Sequence, residues 1–273
     1  MMRIALGVEY DGSGFRGWQL QRKGVRTVQG CLEQALSRVA GEPVATVCAG
    51  RTDAGVHATA QVVHFDTAAE RSPRSWILGT NSNLPADISV LWACPAAPAF
   101  HARFAALARR YRYLILNRPY RSALRHRRVA WYCPPLEVEW MAAAAMCLLG
   151  EHDFTSFRAQ GCQAKSPVRT LYTLKVQRQQ DLILIDAEAN AFLHHMVRNI
   201  VGVLLAVGAG ERPMHWVPAV LAARNRALGG VTAPAAGLYL VAVRYPEEFG
   251  LPAALALSLP FPGSQGEAIA PVE

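Results

Sequence analysis

The stretch Gly50-Arg51-Thr52-Asp53-Ala54-Gly55-Val56-His57-Ala58 connects two apolar segments of this 273-residue chain. Residues 44–49 precede it and residues 61–65 follow it, a pattern that predicts a strand, a tight connection and a second strand. The two glycines allow backbone angles that other residues resist. Asp53 and Arg51 put a carboxylate and a guanidinium between them. The same residues also fit an ordinary turn, so the role of the loop depends on the rest of the chain.

The composition is that of a globular protein, with 52% hydrophobic and 18% charged residues. No apolar run is long enough to cross a bilayer, and the N-terminus has no signal-peptide pattern, so we expect a cytoplasmic protein. The six cysteines form no Cys-x-x-Cys pair, which argues against a zinc cage, and buried free thiols in a reducing cytoplasm fit better than a disulfide framework. His194 and His195 are neighbours; on a helix they would point about 100° apart, which disfavours a metal ion shared by the two.

Positive charge is concentrated in one segment of the chain. The net charge is +8, and only three of the 28 basic residues are lysines. Residues 109–128 contain eight arginines and no acidic residue, with Tyr111, Tyr113 and Tyr120 between them. Arginine side chains bind phosphates and aromatic rings stack on bases, so the segment predicts a nucleic-acid surface. A solvated face, or an arginine-rich genome, would give the same composition.

The order of predicted elements indicates an α+β fold. Alternation predicts strands over residues 2–10, 88–94, 110–116, 170–177, 182–189 and 238–245. Helical spacing predicts helices over residues 28–40, 137–149, 191–207 and 216–228, and a shorter one near 75–78. Strand, helix and two strands therefore occur twice, which suggests two similar subdomains with mainly antiparallel sheets, flanked by helices, on either side of a basic cleft. We assign residues 1–105 and 106–248 to these subdomains and residues 249–273 to a disordered tail.

Arg198 is the unusual residue of the predicted helix 191–207. The helix is otherwise apolar, and a buried arginine needs a partner. Either its side chain extends to water, or it faces a buried carboxylate. The second reading predicts an ion pair with Asp53, with the two groups about 4 Å apart or less.

Six further segments share their order and spacing with one known family. They are Tyr10–Ser13 with Gly17–Gln19, Asn83–Ile88, Phe100–Phe104, Arg110–Tyr113, Phe154–Arg158 and His194–Asn199. Together with the Asp53 stretch, they make the chain, from about residue 2 to residue 250, closely resemble the tRNA pseudouridine synthase A family.

The resemblance implies an isomerase that converts uridine to pseudouridine at positions 38, 39 and 40 of the tRNA anticodon arm. It implies a homodimer, with tRNA as the partner and without cofactor or metal. Asp53 matches the catalytic aspartate, Tyr111 the active-site tyrosine and Arg198 the arginine that pairs with the aspartate. Arg51 matches an arginine that we expect to extrude and position the nucleotide. We expect further contacts with the substrate from Tyr111, Arg110, Arg112 and Arg158.

Two alternatives use the same residues. A non-catalytic RNA-binding or RNA-folding module would use the basic surface but would not need a carboxylate paired with an arginine. A hydrolase of a phosphorylated substrate would need a second carboxylate or metal ligands beside Asp53. Upstream of the loop, only Glu9 and Asp11 are candidates for that role.

Overall fold

One mainly antiparallel sheet runs through both halves of the chain. The computed structural model describes residues 1–22 and 24–252. In these residues the sheet has ten strands, which are β1 (Met2–Tyr10), β2 (Val47–Cys48), β3 (His57–Thr67), β4 (Ile88–Ala96), β5 (Ala108–Asn117), β6 (Ala130–Tyr132), β7 (Gly150–Asp153), β8 (Val168–Gln179), β9 (Leu182–Ala189) and β10 (Leu238–Arg244). The α-helices are α1 (Val28–Ala40), α2 (Pro73–Asn83), α3 (Val138–Ala145), α4 (Met196–Gly208) and α5 (Trp216–Ala223). The predicted α+β class is confirmed.

The two halves are joined inside the sheet. The strand order is β4-β1-β3-β10-β5-β9-β8-β7, with β2 paired to β3 and β6 paired to β5. Strand β10, the last in the chain, lies between β3 of the first half and β5 of the second. It runs parallel to β3, with Tyr239 opposite His57, and antiparallel to β5. The loop that follows β2 therefore lies at the joint between the halves.

All five helices contribute to one apolar layer against the sheet. Ile4, Leu6 and Val8 of β1 belong to the same buried cluster as residues of every α-helix. Helix α1 begins after Thr27, whose hydroxyl accepts a hydrogen bond from Gly30 N, and ends at Gly41 with φ of 76°. These are the stop and start signals expected of a helix, and they explain why its predicted bounds are correct.

Several predicted bounds are wrong, and local contacts give the reason. The strand expected over residues 44–49 is reduced to Val47–Cys48, because Ser37 Oγ and Glu33 Oε1 of α1 accept the amides of Val44 and Thr46. Helix α2 is longer than expected: Ser72 caps it and Pro73 occupies its first turn. Strand β7 was expected to be a loop, and pairing with β8 makes it a strand.

The last helices also differ from prediction. The helix expected from residue 191 begins at Met196, and the helix expected to reach residue 228 ends at Ala223. The chain end differs as well. The tail was predicted from residue 249, but Phe249 packs on Phe100 with ring centroids 5.3 Å apart. Residues 253–273 lie outside the described residues. Within the described part of the chain, no helix is long and apolar enough to cross a membrane.

Candidate active site

The loop that carries Asp53 is braced on several sides. The Gln61 side chain is fully buried and donates a 2.7 Å hydrogen bond to Gly50 O. Thr52 Oγ1 lies 2.8 Å from Tyr10 Oη, and Thr52 O accepts a 3.0 Å hydrogen bond from Trp18 N. Buried polar groups with all their partners in place hold a loop in one arrangement. The position of Asp53 is therefore set by the surrounding strands.

Two glycines let a neighbouring loop approach closely. A Cβ on Gly12 would lie 2.0 Å from Val56 O, and a Cβ on Gly17 would lie 2.9 Å from Thr52 O. Gly17 also has a φ of 94°, which side chains disfavour. The segments Tyr10–Ser13 and Gly17–Gln19 therefore support the Asp53 loop, and Trp18 is buried beneath it, with 1% of its surface exposed.

Arg198 on α4 faces Asp53, as the sequence predicts. Its Nη1 lies 3.2 Å from Asp53 Oδ2, and its Nε donates a 2.8 Å hydrogen bond to Ala233 O. The carbonyl holds the guanidinium in place while the outer nitrogen contacts the carboxylate. The pair joins the two halves, since Asp53 follows β2 and Arg198 lies in the second half of the chain.

Two histidines complete what we call the Asp53 cluster: Asp53, His194, His195 and Arg198. His194 Nε2 lies 3.3 Å from Asp53 Oδ1, and His195 Nε2 lies 3.3 Å from Asp53 Oδ2. Burial lowers the pKa of His195 more than the nearby carboxylate raises it. The expectation that these imidazoles diverge is wrong, because both precede α4 and His195 has a left-handed backbone with φ of 61°. The sequence signal that could have identified the two histidines as site residues is their position next to an apolar helix.

Tyr111 lies on the same side of the sheet as the Asp53 cluster. It is buried, its ring meets Phe192 edge-on at 5.1 Å, and its hydroxyl is 3.5 Å from the point where a Cβ on Gly50 would lie. Burial and the negative charge of Asp53 raise the pKa of Tyr111. At neutral pH its hydroxyl is therefore protonated and able to donate.

Arg110 and Arg112 lie elsewhere. Adjacent residues of a strand point to opposite faces of the sheet, so both side chains point away from the face that Tyr111 occupies. Arg110 Nη2 is 2.8 Å from Glu188 Oε2, and Arg112 Nε is 2.7 Å from Asp186 Oδ1. The acidic partners come from β9, far along the chain. The structure does not bring these arginines to Asp53.

Other predicted basic residues divide into two groups. Arg109 and Arg158 are occupied by backbone carbonyls: Arg109 Nη2 donates to Ala49 O at 3.0 Å and Arg158 Nη2 to Ala164 O at 2.9 Å. Arg51 is exposed, and in the described part of the chain it has no carboxylate within ion-pair distance. Arg51 is thus the predicted contact that remains available to a phosphate.

Asp11, one of the two carboxylates considered for a hydrolase, has partners of its own. Asp11 Oδ1 is 3.2 Å from His57 Nδ1, and Asp11 Oδ2 is 3.1 Å from Arg128 Nε. The hydrogen bond with His57 holds the pKa of Asp11 well below its usual range. Asp11 is therefore engaged in a separate ion-pair group.

A cavity of about 790 Å³ lies against α4 but is not at this cluster. Its lining includes Gly202 and Trp216, and none of the four residues of the Asp53 cluster. The cluster itself contacts solvent, with 23% of the Asp53 side chain and 45% of the His194 side chain exposed. A substrate would reach Asp53 from the surface.

Comparison with known proteins identifies relatives along nearly the whole chain. The family model described as tRNA pseudouridine synthase matches residues 7–105 and 144–246. The tRNA pseudouridine synthase A of Nitrosococcus oceani is 64% identical over 251 residues, which is 92% of this chain and 96% of that protein. The proteins of that name from Methylococcus capsulatus and Pseudomonas aeruginosa are 61% and 60% identical over 250 residues, or 92% of this chain and 92% and 88% of theirs.

A solved structure of a Cbf5-Nop10-Gar1 complex aligns with 74% of this chain and 54% of its own, at 12% identity and a TM-score of 0.30, too low to bear on fold or function. The sequence relatives are decisive, because each is at least 60% identical and matches almost end to end. Their similarity and the family match together lead to one conclusion: this chain belongs to the tRNA pseudouridine synthase A family.

Proposed function

We propose that this chain isomerises uridine to pseudouridine at positions 38, 39 and 40 of the tRNA anticodon stem-loop, with Asp53 as the nucleophile. The observation that carries the proposal is the Asp53–Arg198 contact of 3.2 Å at the joint of the two halves. A braced carboxylate with a cationic partner suits a reaction in which positive charge develops at a sugar. A module that only binds RNA has no need of this pair.

The reaction exchanges one bond to the sugar for another. The N1–C1′ bond breaks, the uracil rotates, C5 bonds to C1′, C5 loses its proton and N1 gains one. Asp53 acts as the nucleophile, at C1′ or at the base. Attached to C1′, it is displaced when the C5–C1′ bond forms; attached to the base, it leaves by elimination when C5 loses its proton. Atoms and charge balance with no redox step, so the proposal includes no cofactor.

The neighbouring side chains have separate roles in this proposal. Arg198 and the two imidazoles hold the Asp53 oxygens in one orientation, which lowers the cost of reaching the reactive geometry. Tyr111 donates from its protonated hydroxyl and takes part in proton transfer. Arg51 enters the stem-loop and helps to extrude the target nucleotide, because a uridine inside a stem is unreachable.

The remaining expectations are proposals of the same kind. Residues 1–105 and 106–248 act as two subdomains, and the chain works as a homodimer in the cytoplasm. Arg110, Arg112 and Arg158 have protein partners, which argues for a structural role over direct contact with the substrate.

The direct test uses the purified chain and an unmodified tRNA transcript with uridine at positions 38, 39 and 40. Chemical mapping after incubation with EDTA should find pseudouridine at those positions and unmodified uridine elsewhere. A transcript with cytidine at the three positions is the matched control. Absence of pseudouridine after prolonged incubation would contradict the proposed function.

A further inference from the structure

Three side chains with metal-ligating atoms meet at the Asp53 cluster. One ligand atom each from Asp53, His194 and His195 can be chosen so that all lie within 4.8 Å of one another. Each histidine Nε2 is 3.3 Å from an Asp53 oxygen. Tetrahedral ligands bound to zinc at about 2.0–2.2 Å stand about 3.3–3.6 Å apart. Each histidine is therefore at a zinc-like separation from one of the two Asp53 oxygens, and the three ligand atoms are gathered within 4.8 Å of one another.

The backbone before α4 brings the two imidazoles together. His195 has φ of 61° and ψ of 5°, a left-handed conformation that is uncommon outside glycine, although asparagine, aspartate and histidine adopt it more often than other residues. The turn at this residue lets consecutive side chains converge, and their ring centroids are 4.0 Å apart. An uncommon backbone conformation beside reactive groups is a reason to look for a function.

The ligand types, the nearby charge and the solvent exposure of Asp53, His194 and His195 determine which metal ion would fit and where it would bind. Two imidazole nitrogens and one carboxylate oxygen suit zinc, whereas magnesium prefers oxygen ligands and retains its waters. Arg198 lies 3.2 Å from Asp53 Oδ2 and opposes a cation there, so the Oδ1 side, next to His194, is the more favourable position. The exposed fractions of His194 and His195, 45% and 28%, leave an open path for the ion.

We propose that Asp53, His194 and His195 form a binding site for zinc or a similar transition-metal ion, and that the bound ion blocks the reaction. The three side chains supply three ligands, and water fills the fourth position. An Asp53 oxygen bound to the ion cannot act as a nucleophile. The binding half of the proposal stands on geometry alone, and the inhibition half rests on the proposed function.

Calorimetric titration of the purified full chain with zinc chloride, without tRNA, tests binding. One ion should bind per chain, and His194→Gln, His195→Asn and Asp53→Asn should each raise the Kd at least about tenfold. Asparagine is chosen at position 195 because it tolerates the left-handed backbone. Magnesium chloride should give no binding heat.

Two control variants separate this site from others that bind zinc. His215→Gln removes an exposed histidine that makes no capping hydrogen bond, and Cys133→Ser removes an exposed thiol. Both variants should bind zinc like the unmodified chain. Zinc binding that survives His194→Gln and His195→Asn, or that disappears in Cys133→Ser, would overturn the site. So would a failure of the unmodified chain to bind zinc.

A spectroscopic measurement needs no substitution. Cobalt(II) bound in place of zinc should show the visible absorption of a nitrogen- and oxygen-ligated tetrahedral ion. Strong thiolate-to-metal absorption would instead assign the ion to a cysteine and overturn the site, even if a histidine variant fails to fold.

The rate of pseudouridine formation tests the second part of the proposal, that bound zinc blocks the reaction. Zinc should inhibit the unmodified chain and His215→Gln with a midpoint equal to the calorimetric Kd, and EDTA should restore turnover. Bound zinc that leaves turnover unchanged would overturn the inhibition. If the chain forms no pseudouridine even with EDTA, the proposed function fails, while calorimetry still decides the metal site.

Discussion

Strand β5 places Tyr111 and Tyr113 on one face of the sheet and Arg110 and Arg112 on the other. The tyrosine side is covered by helices and belongs to the large buried cluster that includes α4. On the arginine side, Glu188 and Asp186 of β9 lie directly opposite Arg110 and Arg112. We call the side of the sheet with Tyr111 and Tyr113 the helix-covered face, and the side with Arg110 and Arg112 the ion-pair face.

The difference shows how one strand can serve chemistry and stability at once. The helix-covered face carries Tyr111 towards the Asp53 cluster, where Arg198 supplies the cation. The ion-pair face uses its arginines to join β5 to β9. A one-residue step along a strand separates the two roles, because successive side chains alternate between faces.

The largest expected effect on the helix-covered face is that of Asp53→Asn. Asparagine keeps the size of the side chain but cannot act as a carboxylate nucleophile. Single-turnover pseudouridine formation should fall by at least about 1,000-fold, with tRNA affinity unchanged within a few-fold because phosphate contacts dominate binding. Near-normal turnover would remove Asp53 from the nucleophile role.

Tyr111→Phe tests whether the hydroxyl of Tyr111, on the helix-covered face, takes part in the reaction. The ring remains and only the hydroxyl is lost, so tRNA should bind normally. If the hydroxyl takes part in proton transfer, single-turnover rates should fall about 100-fold. Tyr113→Phe, which loses a hydrogen bond to Pro234 O on the same face, is the matched control. Full activity in Tyr111→Phe would leave Tyr111 as a stacking surface.

The face opposite the helices should control the pH dependence of stability. His64 is buried against Phe100, accepts a hydrogen bond from Ala102 N, and lies near Arg3, Asp66 and His101. Burial, with the positive charge of Arg3, lowers the pKa of His64 from 6.5 to about 4. Between pH 6.5 and 4, residue 64 therefore binds more protons in the unfolded chain than in the folded chain.

Unfolding measured by denaturant should accordingly show stability falling as pH decreases from 6.5 to 4. The histidine accounts for about 2–3 kcal/mol of this loss. His64→Gln should flatten the dependence over that window. An equal slope in the variant would assign the effect to other groups.

Arg112→Gln tests the ion-pair face directly. The variant should lose about 1–2 kcal/mol of unfolding free energy, since it breaks a half-buried pair with Asp186. Turnover and the salt dependence of tRNA binding should not change. A flatter salt dependence would instead give Arg112 a phosphate contact, as the sequence suggested.

The smallest expected effect belongs to Arg51, the exposed arginine of the Asp53 loop. Arg51→Ala should weaken tRNA binding across sequences and reduce the slope of log K against log salt by about one. Its unfolding free energy should stay within about 0.5 kcal/mol of the unmodified chain. An unchanged slope would place Arg51 away from the phosphates.

Sequence reasoning works for this chain where the signal is local. Period-two alternation identified β1, and Thr27 with Gly41 identified both ends of α1. It failed where distant groups decide the outcome. The segment 44–46 is apolar enough for a strand, but side chains of α1 accept its amides.

The residues of the candidate site also divide into those that a local signal predicted and those whose place depends on distant groups. An arginine in an apolar helix either extends to water or pairs with a carboxylate, and the second reading, which the family resemblance also implies, predicted the Arg198–Asp53 contact. The roles of Tyr111 and Arg51 remain predictions. His194 and His195 were set aside because a helix would separate them, and the left-handed turn at His195 could not be read from residue types.

By itself, the sequence determined the α+β class, the loop that holds Asp53 and the need for a partner for Arg198, because alternation, capping and buried charge are local requirements. Only the tertiary structure decided which residues surround Asp53 and which arginines are already paired. Both depend on the register of β5 against β9 and on the turn before α4. Residues far apart in the chain meet through that register, and one residue of shift would exchange the two faces.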